Sequence, residues 1–89
     1  MKFISEHESA ALISHEMAYD AIRESLIAAS KAETLNFPVV HGKGSNNVNS
    51  FSIKASSTSE LAGLKVGSYW PGNRDIGIPR HNSLILLFD

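Results

Sequence analysis

The sequence has 89 residues, 43% hydrophobic and 19% charged, with a formal net charge of -1. That is the composition of a folded chain with room for a single small domain, too short for a two-domain enzyme and without the field that would hold a polyanion. It contains no cysteine, which excludes disulfides, thiolate zinc sites and a cysteine nucleophile and argues for a reducing, cytoplasmic compartment.

No apolar run approaches the roughly 20 residues that span a bilayer, and Glu6 and Glu8 close behind Lys2 are unlike a signal peptide. Neither nucleic acid nor a membrane is an expected partner. Phe3 and Ile4 suit a short opening strand. Ser5 and Glu8 then have the S-x-x-E spacing of a capping box, which predicts a helix from about Glu6 to Ile13. Ser14 is placed to cap a second helix running to about Ala32, in which Met17, Ala18, Ala21, Ile22, Leu26 and Ala29 make one apolar stripe.

From Leu35 onward the period changes. Phe37 to Val40 is β-prone, with Pro38 restricting it to an edge or a strand start because proline has no amide to donate. His41 to Asn47 has loop composition. Phe51 to Ala55, Gly63 to Trp70 and Ser83 to Phe88 read as strands, the last a continuous apolar run that asks for cover on both faces. Trp70-Pro71-Gly72-Asn73 signals a turn, and Gly77 and Pro79 a second break. The expected fold is α+β, two N-terminal helices packed on a small mixed or antiparallel sheet of about four strands, as one domain over residues 1–89.

Few residues in this order announce chemistry. Gly42-Lys43-Gly44-Ser45 has the composition of a phosphate loop but the spacing neither of Walker A nor of a dinucleotide turn, and it precedes a strand. The histidines, His7, His15, His41 and His81, include no i,i+4 pair, so no metal site is expected. The carboxylates give no acid/base pair. Lys54, Lys65 and Arg80 could converge in the β-rich part. Lys65, between Leu64 and Val66, asks for an anion, a structural glutamate or open water, because burying an ammonium alone is costly.

The stretch Gly63-Leu-Lys-Val-Gly-Ser-Tyr-Trp-Pro-Gly-Asn73, followed by Gly77-Ile-Pro-Arg-His-Asn-Ser-Leu-Ile-Leu-Leu-Phe-Asp89, resembles the ornithine cyclodeaminase/μ-crystallin family. The order of the opening Phe-Ile-Ser and two helices extends the resemblance over nearly the whole chain. Phe37-Pro-Val-Val-His-Gly and Phe51-Ser-Ile-Lys are similar to its ketimine reductase branch. The resemblance implies NAD(P)-dependent chemistry on small amino acids or cyclic imino acids, in a homo-oligomer that dimerises through this part of the protein. It makes Lys65 the residue that holds the substrate carboxylate, and Arg80 and His81 cofactor contacts. Arg80 replaces the family's usual Thr or Ser. Ser52 takes the place of the cyclodeaminase glutamate, which argues against ornithine cyclisation, and the family's arginine near this strand has no counterpart among Val39, Val40 and Ser50.

By the same resemblance a Rossmann domain would begin after Asp89. The chain is therefore expected to be the N-terminal segment of a substrate-binding and dimerisation domain, truncated before the nucleotide-binding domain. It would be a fragment or relic of a cyclic-imine (ketimine) reductase, using NAD(P)H in intact relatives, binding no cofactor alone and catalytically incomplete. A second possibility is a non-enzymatic α+β module that oligomerises through its C-terminal strand, since a terminal apolar strand presents an adhesive edge. A third makes Gly42 to Asn47 an anion-binding loop.

Overall fold

Ser5 starts the first helix by capping it in both directions. Its hydroxyl accepts from the Glu8 amide at 3.2 Å while a Glu8 carboxylate oxygen accepts from the Ser5 amide at 2.7 Å, satisfying two donors that a helix N-terminus otherwise leaves open. Helix α1 spans Glu6–Leu12 and stops at Ile13, whose backbone is extended. Ser14 caps helix α2, His15–Ser30, by accepting from the Met17 amide at 3.1 Å. The computed structural model describes residues 1–89, which divide into two compact units, Met1–Ala32 and Glu33–Asp89.

In the first unit α2 ends two residues before the expected boundary. Lys31 is its C-cap, and Ala32 follows in the left-handed region at φ 56°, the conformation in which many helices place a glycine. Phe3 and Ile4 form no strand; a strand exists only through a partner, and none is paired with them. The half-buried residues of α2 are Ala18, Ile27 and Ala28, whereas Met17, Ile22 and Leu26 of the predicted stripe are exposed. No helix is long and apolar enough to cross a membrane.

The second unit is an antiparallel sheet. Strands β1 (Leu35–Asn36) and β2 (Val40–Lys43) both pair with β3 (Ser50–Ser57), which pairs with β4 (Ala62–Tyr69), which pairs with β5 (His81–Phe88). There are five segments in four ranks, because β1 and β2 lie end to end along one side of β3. The break between them is the Phe37-Pro38-Val39 segment expected to be strand. Asn36 faces Ser56 and Val40 faces Ile53, so three residues of the edge oppose two of β3. This is a bulge, placed where proline has no amide for the ladder.

Alternation sorts the sheet into two faces. Ile53, Leu64, Val66, Leu84 and Leu86 share one, in register across β3, β4 and β5, and this is the apolar side. Ile53, Leu64, Val66 and Leu86 are half-buried, and neither unit holds a fully buried side chain. The other face carries Lys54, Lys65 and their neighbours. Between β4 and β5 the expected turn at Trp70 is the opening of a 3-10 helix, Pro71–Ile76, with Pro71 in its first turn and Gly77 closing it at φ 71°. The Asn73 side-chain amide and the Asn82 side-chain amide both donate to the Pro79 carbonyl, at 3.1 and 3.0 Å. The Trp70 amide donates to the Arg80 carbonyl at 2.8 Å. Together these hold the chain where it re-enters the sheet.

Candidate functional site

The face opposite the apolar one carries a depression of about 480 Å³, lined entirely from β2, β3, β4 and β5. Strand register arranges its residues in three rows. Across the first run Lys54 and Lys65; across the second His41, Ser52, Gly67 and Ser83; across the third Lys43, Ser50, Tyr69 and His81. The middle row is the floor, since its side chains on β3, β4 and β5 are short. A Cβ built on Gly67 would meet the hydroxyls of Ser83 and Ser52 at 3.7 and 3.8 Å, so two hydroxyls flank the lowest point.

The rows to either side are functional in composition. Lys54 and Lys65 stand directly opposite one another on β3 and β4. At the other end the Tyr69 and His81 rings lie 4.6 Å apart, tilted by 30°. Lys65 and Tyr69 are four residues apart on one strand, about 13 Å at 3.3 Å per residue, so the depression is a trough with a cationic end and an aromatic, imidazole-bearing end. Lysines and histidines line it and no Asp or Glu does, although the chain as a whole carries a net charge of -1.

Lys65 is exposed, so of the anion, structural glutamate or open water expected beside it the structure shows open water: Leu64 and Val66 point to the other face, and period-2 alternation turns the ammonium to the open one. His81 joins Lys65 in the same depression, at its far end. Arg80 does not line it. It precedes β5, where its carbonyl accepts from Trp70. Metal-binding clusters of His, Asp and Glu are absent.

The Gly42 to Asn47 segment is half strand and half hairpin. His41, Gly42 and Lys43 belong to β2, and the chain returns through a tight turn in which the Gly44 amide donates to the Asn49 carbonyl at 2.8 Å and the Asn47 amide to the Gly44 carbonyl at 3.1 Å. The Asn46 side-chain oxygen accepts from the Val48 and Asn49 amides at 3.1 and 3.0 Å. These bonds commit the Gly44, Asn47, Val48 and Asn49 amides to the turn itself.

The contribution of His41, Lys43 and Tyr69 was hidden in the sequence because it depends on hairpin register. Alternation alone puts Lys54 and Lys65 each on a strand face; only the pairing of Ser52 with both His41 and Gly67 brings β2 and β4 to one floor.

No family model matches the chain. The iminosuccinate reductase of Paracoccus denitrificans (strain Pd 1222) is 31% identical over 91 residues, an alignment that takes in 100% of this chain and 28% of that protein. The crystal structure of the iminosuccinate reductase of Paracoccus denitrificans in complex with NAD+ matches with a TM-score of 0.86 at 31% identity, over 94% of this chain and 27% of that one. An archaeal alanine dehydrogenase dimer with bound NAD matches with a TM-score of 0.83 at 26% identity, over 92% and 25%. The chain spans 28% of the length of the curated relative it matches.

Proposed function

As a homologue of iminosuccinate reductase, in keeping with its resemblance to the ornithine cyclodeaminase/μ-crystallin family, this chain carries, we propose, the carboxylate-binding part of an NAD(P)H-dependent imine reductase. The observation that supports this most is Lys65 in a trough that lysines and histidines line and carboxylates do not. An ammonium there is free to take a substrate carboxylate by a charge-assisted hydrogen bond. When bound, the nicotinamide cofactor supplies the hydride that reduces a C=N bond. The part of these residues is to hold the carboxylate end of the substrate and, through His81 in the trough and Arg80 just outside it, to meet the cofactor's ring end. The 89 residues alone are then a binding segment without turnover, of cytoplasmic origin in keeping with the lack of cysteine.

The test is an NMR titration of the 89-residue chain with proline or pipecolate, beside a Lys65→Ala variant. Saturable shifts at Lys65 that disappear in the variant support the reading. A well-dispersed spectrum that no carboxylate perturbs, or shifts indifferent to Lys65→Ala, would reject it.

One observation favours a second reading, a non-enzymatic module that self-associates. Strand β5 pairs with β4 alone, and its Ile85, Leu87 and Phe88 are exposed, so it presents an apolar edge of the kind that recruits another strand. Sedimentation separates the two: an oligomer with no carboxylate response belongs to this second reading.

A further inference from the structure

We propose that the far end of the trough, where Lys43, Ser50, Tyr69 and His81 form one row, is a site for a phosphate-type oxyanion. It is separate from the Lys65 reading: Lys65 and Tyr69 lie four residues apart on β4, about 13 Å, and no substrate carboxylate is involved.

Register makes the row. Lys43 is opposite Ser50, Ser50 opposite Tyr69, and Tyr69 opposite His81. Four strands thus each send one side chain to the same face, and all four residues line the trough. Each side chain carries a hydrogen-bond donor: an ammonium, two hydroxyls and an imidazole N–H. No Asp or Glu lines the trough, so no carboxylate of the protein competes for these donors there.

Spacing sets the size of the ligand. Lys43 and His81 stand at the two ends of the row, three strand spacings or about 14 Å apart at the backbone. The Tyr69 ring is taken up in the 4.6 Å stack with His81, while Ser50, next to Lys43, is short. The low point of the row is therefore over Ser50, with the Lys43 ammonium on one side and the aromatic pair on the other. A compact ion with acceptor oxygens on several sides can meet donors from both directions and from the Ser50 hydroxyl below, which suits a phosphate better than a planar carboxylate.

The entry to β5 holds the His81 side still. The Arg80 carbonyl accepts from the Trp70 amide at 2.8 Å, and the Asn82 side-chain amide donates to the Pro79 carbonyl at 3.0 Å. The backbone is tied on both sides of His81, so its imidazole has little freedom left to lose on binding. On the other side is the lysine of the Gly42-Lys43-Gly44 segment. The turn amides are bonded within the turn, and Lys43 contributes by its place on β2 instead.

Amide NMR titrations of the 89-residue chain with inorganic phosphate, methyl phosphate and acetate, at constant low ionic strength, test the proposal. The Ser50, Tyr69 and His81 amides are expected to shift saturably with phosphate, and acetate to bind about tenfold more weakly. Lys43→Ala should weaken phosphate about tenfold, the loss of one charge-assisted contact, and Lys43→Arg should restore most of it. Tyr69→Phe, which keeps the stack and removes the hydroxyl, should weaken it about threefold. Lys54→Ala, at the other end of the trough, should move it by less than about twofold. Methyl phosphate bound as well as phosphate assigns the site to a phosphomonoester group, and phosphate bound alone assigns it to the free ion. Equal weakening by Lys43→Ala and Lys54→Ala would show a diffuse field over the whole face and would overturn the proposal. So would a folded chain whose row does not respond to phosphate, which leaves the Lys65 reading to its own titration.

Discussion

The ring of Phe51 occupies the space that a side chain at Gly42 would need. The two residues are opposed in the β2–β3 ladder, and a Cβ built at Gly42 would collide with the edge of the Phe51 ring. Glycine here is a matter of close approach rather than of backbone angle. Gly42→Ala is expected to destabilise the sheet by about 1–3 kcal/mol through overpacking, read as a lower denaturation midpoint. Adding Phe51→Ala should recover part of the loss, because the double change removes the collision. Additive costs in the two variants would show that the contact is not the cause.

A second expectation comes from the end of α2. Ala32 adopts φ 56°, which costs an L-residue with a Cβ about 1–2 kcal/mol and costs glycine nearly nothing. Part of the gain from Ala32→Gly is lost to the freer unfolded chain. The net should be a stabilisation of about 0.5–1 kcal/mol, measured by chemical denaturation. An unchanged or lower midpoint would mean that Ala32 is not held left-handed in solution.

Acid should loosen α1 specifically. The Ser5 backbone amide, and after it the Ser5 hydroxyl, hold the Glu8 carboxyl below its ordinary value of 4.5. The folded form is the one with the lower pKa, so the contribution of the capping box is fully present above the ordinary glutamate range. It is lost as pH falls through the lowered value. Amide shifts of Glu6 to Leu12 are expected to move toward coil values on titration from neutrality to about pH 3. In Glu8→Ala this pH dependence should be absent from α1 and unchanged elsewhere.

The self-association reading makes its own demand. A lysine on an edge strand is a common defence against strand addition, so Ile85→Lys on β5 should convert an oligomer built on that edge to monomer in sedimentation velocity. It should do so without loss of β-sheet signal in circular dichroism. An oligomer that survives the change is assembled through another surface.

Much of this architecture was readable where side-chain chemistry acts over three or four residues. Ser5, Glu8 and Ser14 carry both helix starts, apolar alternation carries β3 and β4, and a continuous apolar run carries β5. The stop at Ser30 was not, because it rests on a left-handed alanine that no propensity favours. Nor was the division of the first edge: Phe37 to Val39 looks β-prone residue by residue, and the bulge exists only in relation to β3. At the site, Lys54 and Lys65 could be singled out as cations on strands. Their opposition, and the arrival of His41 and Lys43 beside them, depend on how a six-residue turn from Gly44 to Asn49 sets the register, which pattern reading does not reach. Arg80 drew notice for its charge, but its place before β5 keeps it out of the trough.

The odd residue at Pro38 has a consequence for the whole face. If the edge ran straight on from Leu35 opposite Ser57 and Asn36 opposite Ser56, Val39 rather than Val40 would meet Ile53. His41 would then be thrust against the Phe51 ring, and Gly42 would turn to the lysine side. The bulge works as a phase shifter: it lets the first part of the edge keep its own beat while the second part arrives half a period later. Imidazole and ammonium groups reach the trough from β2 only because the chain falls out of step once, at the residue least able to keep it.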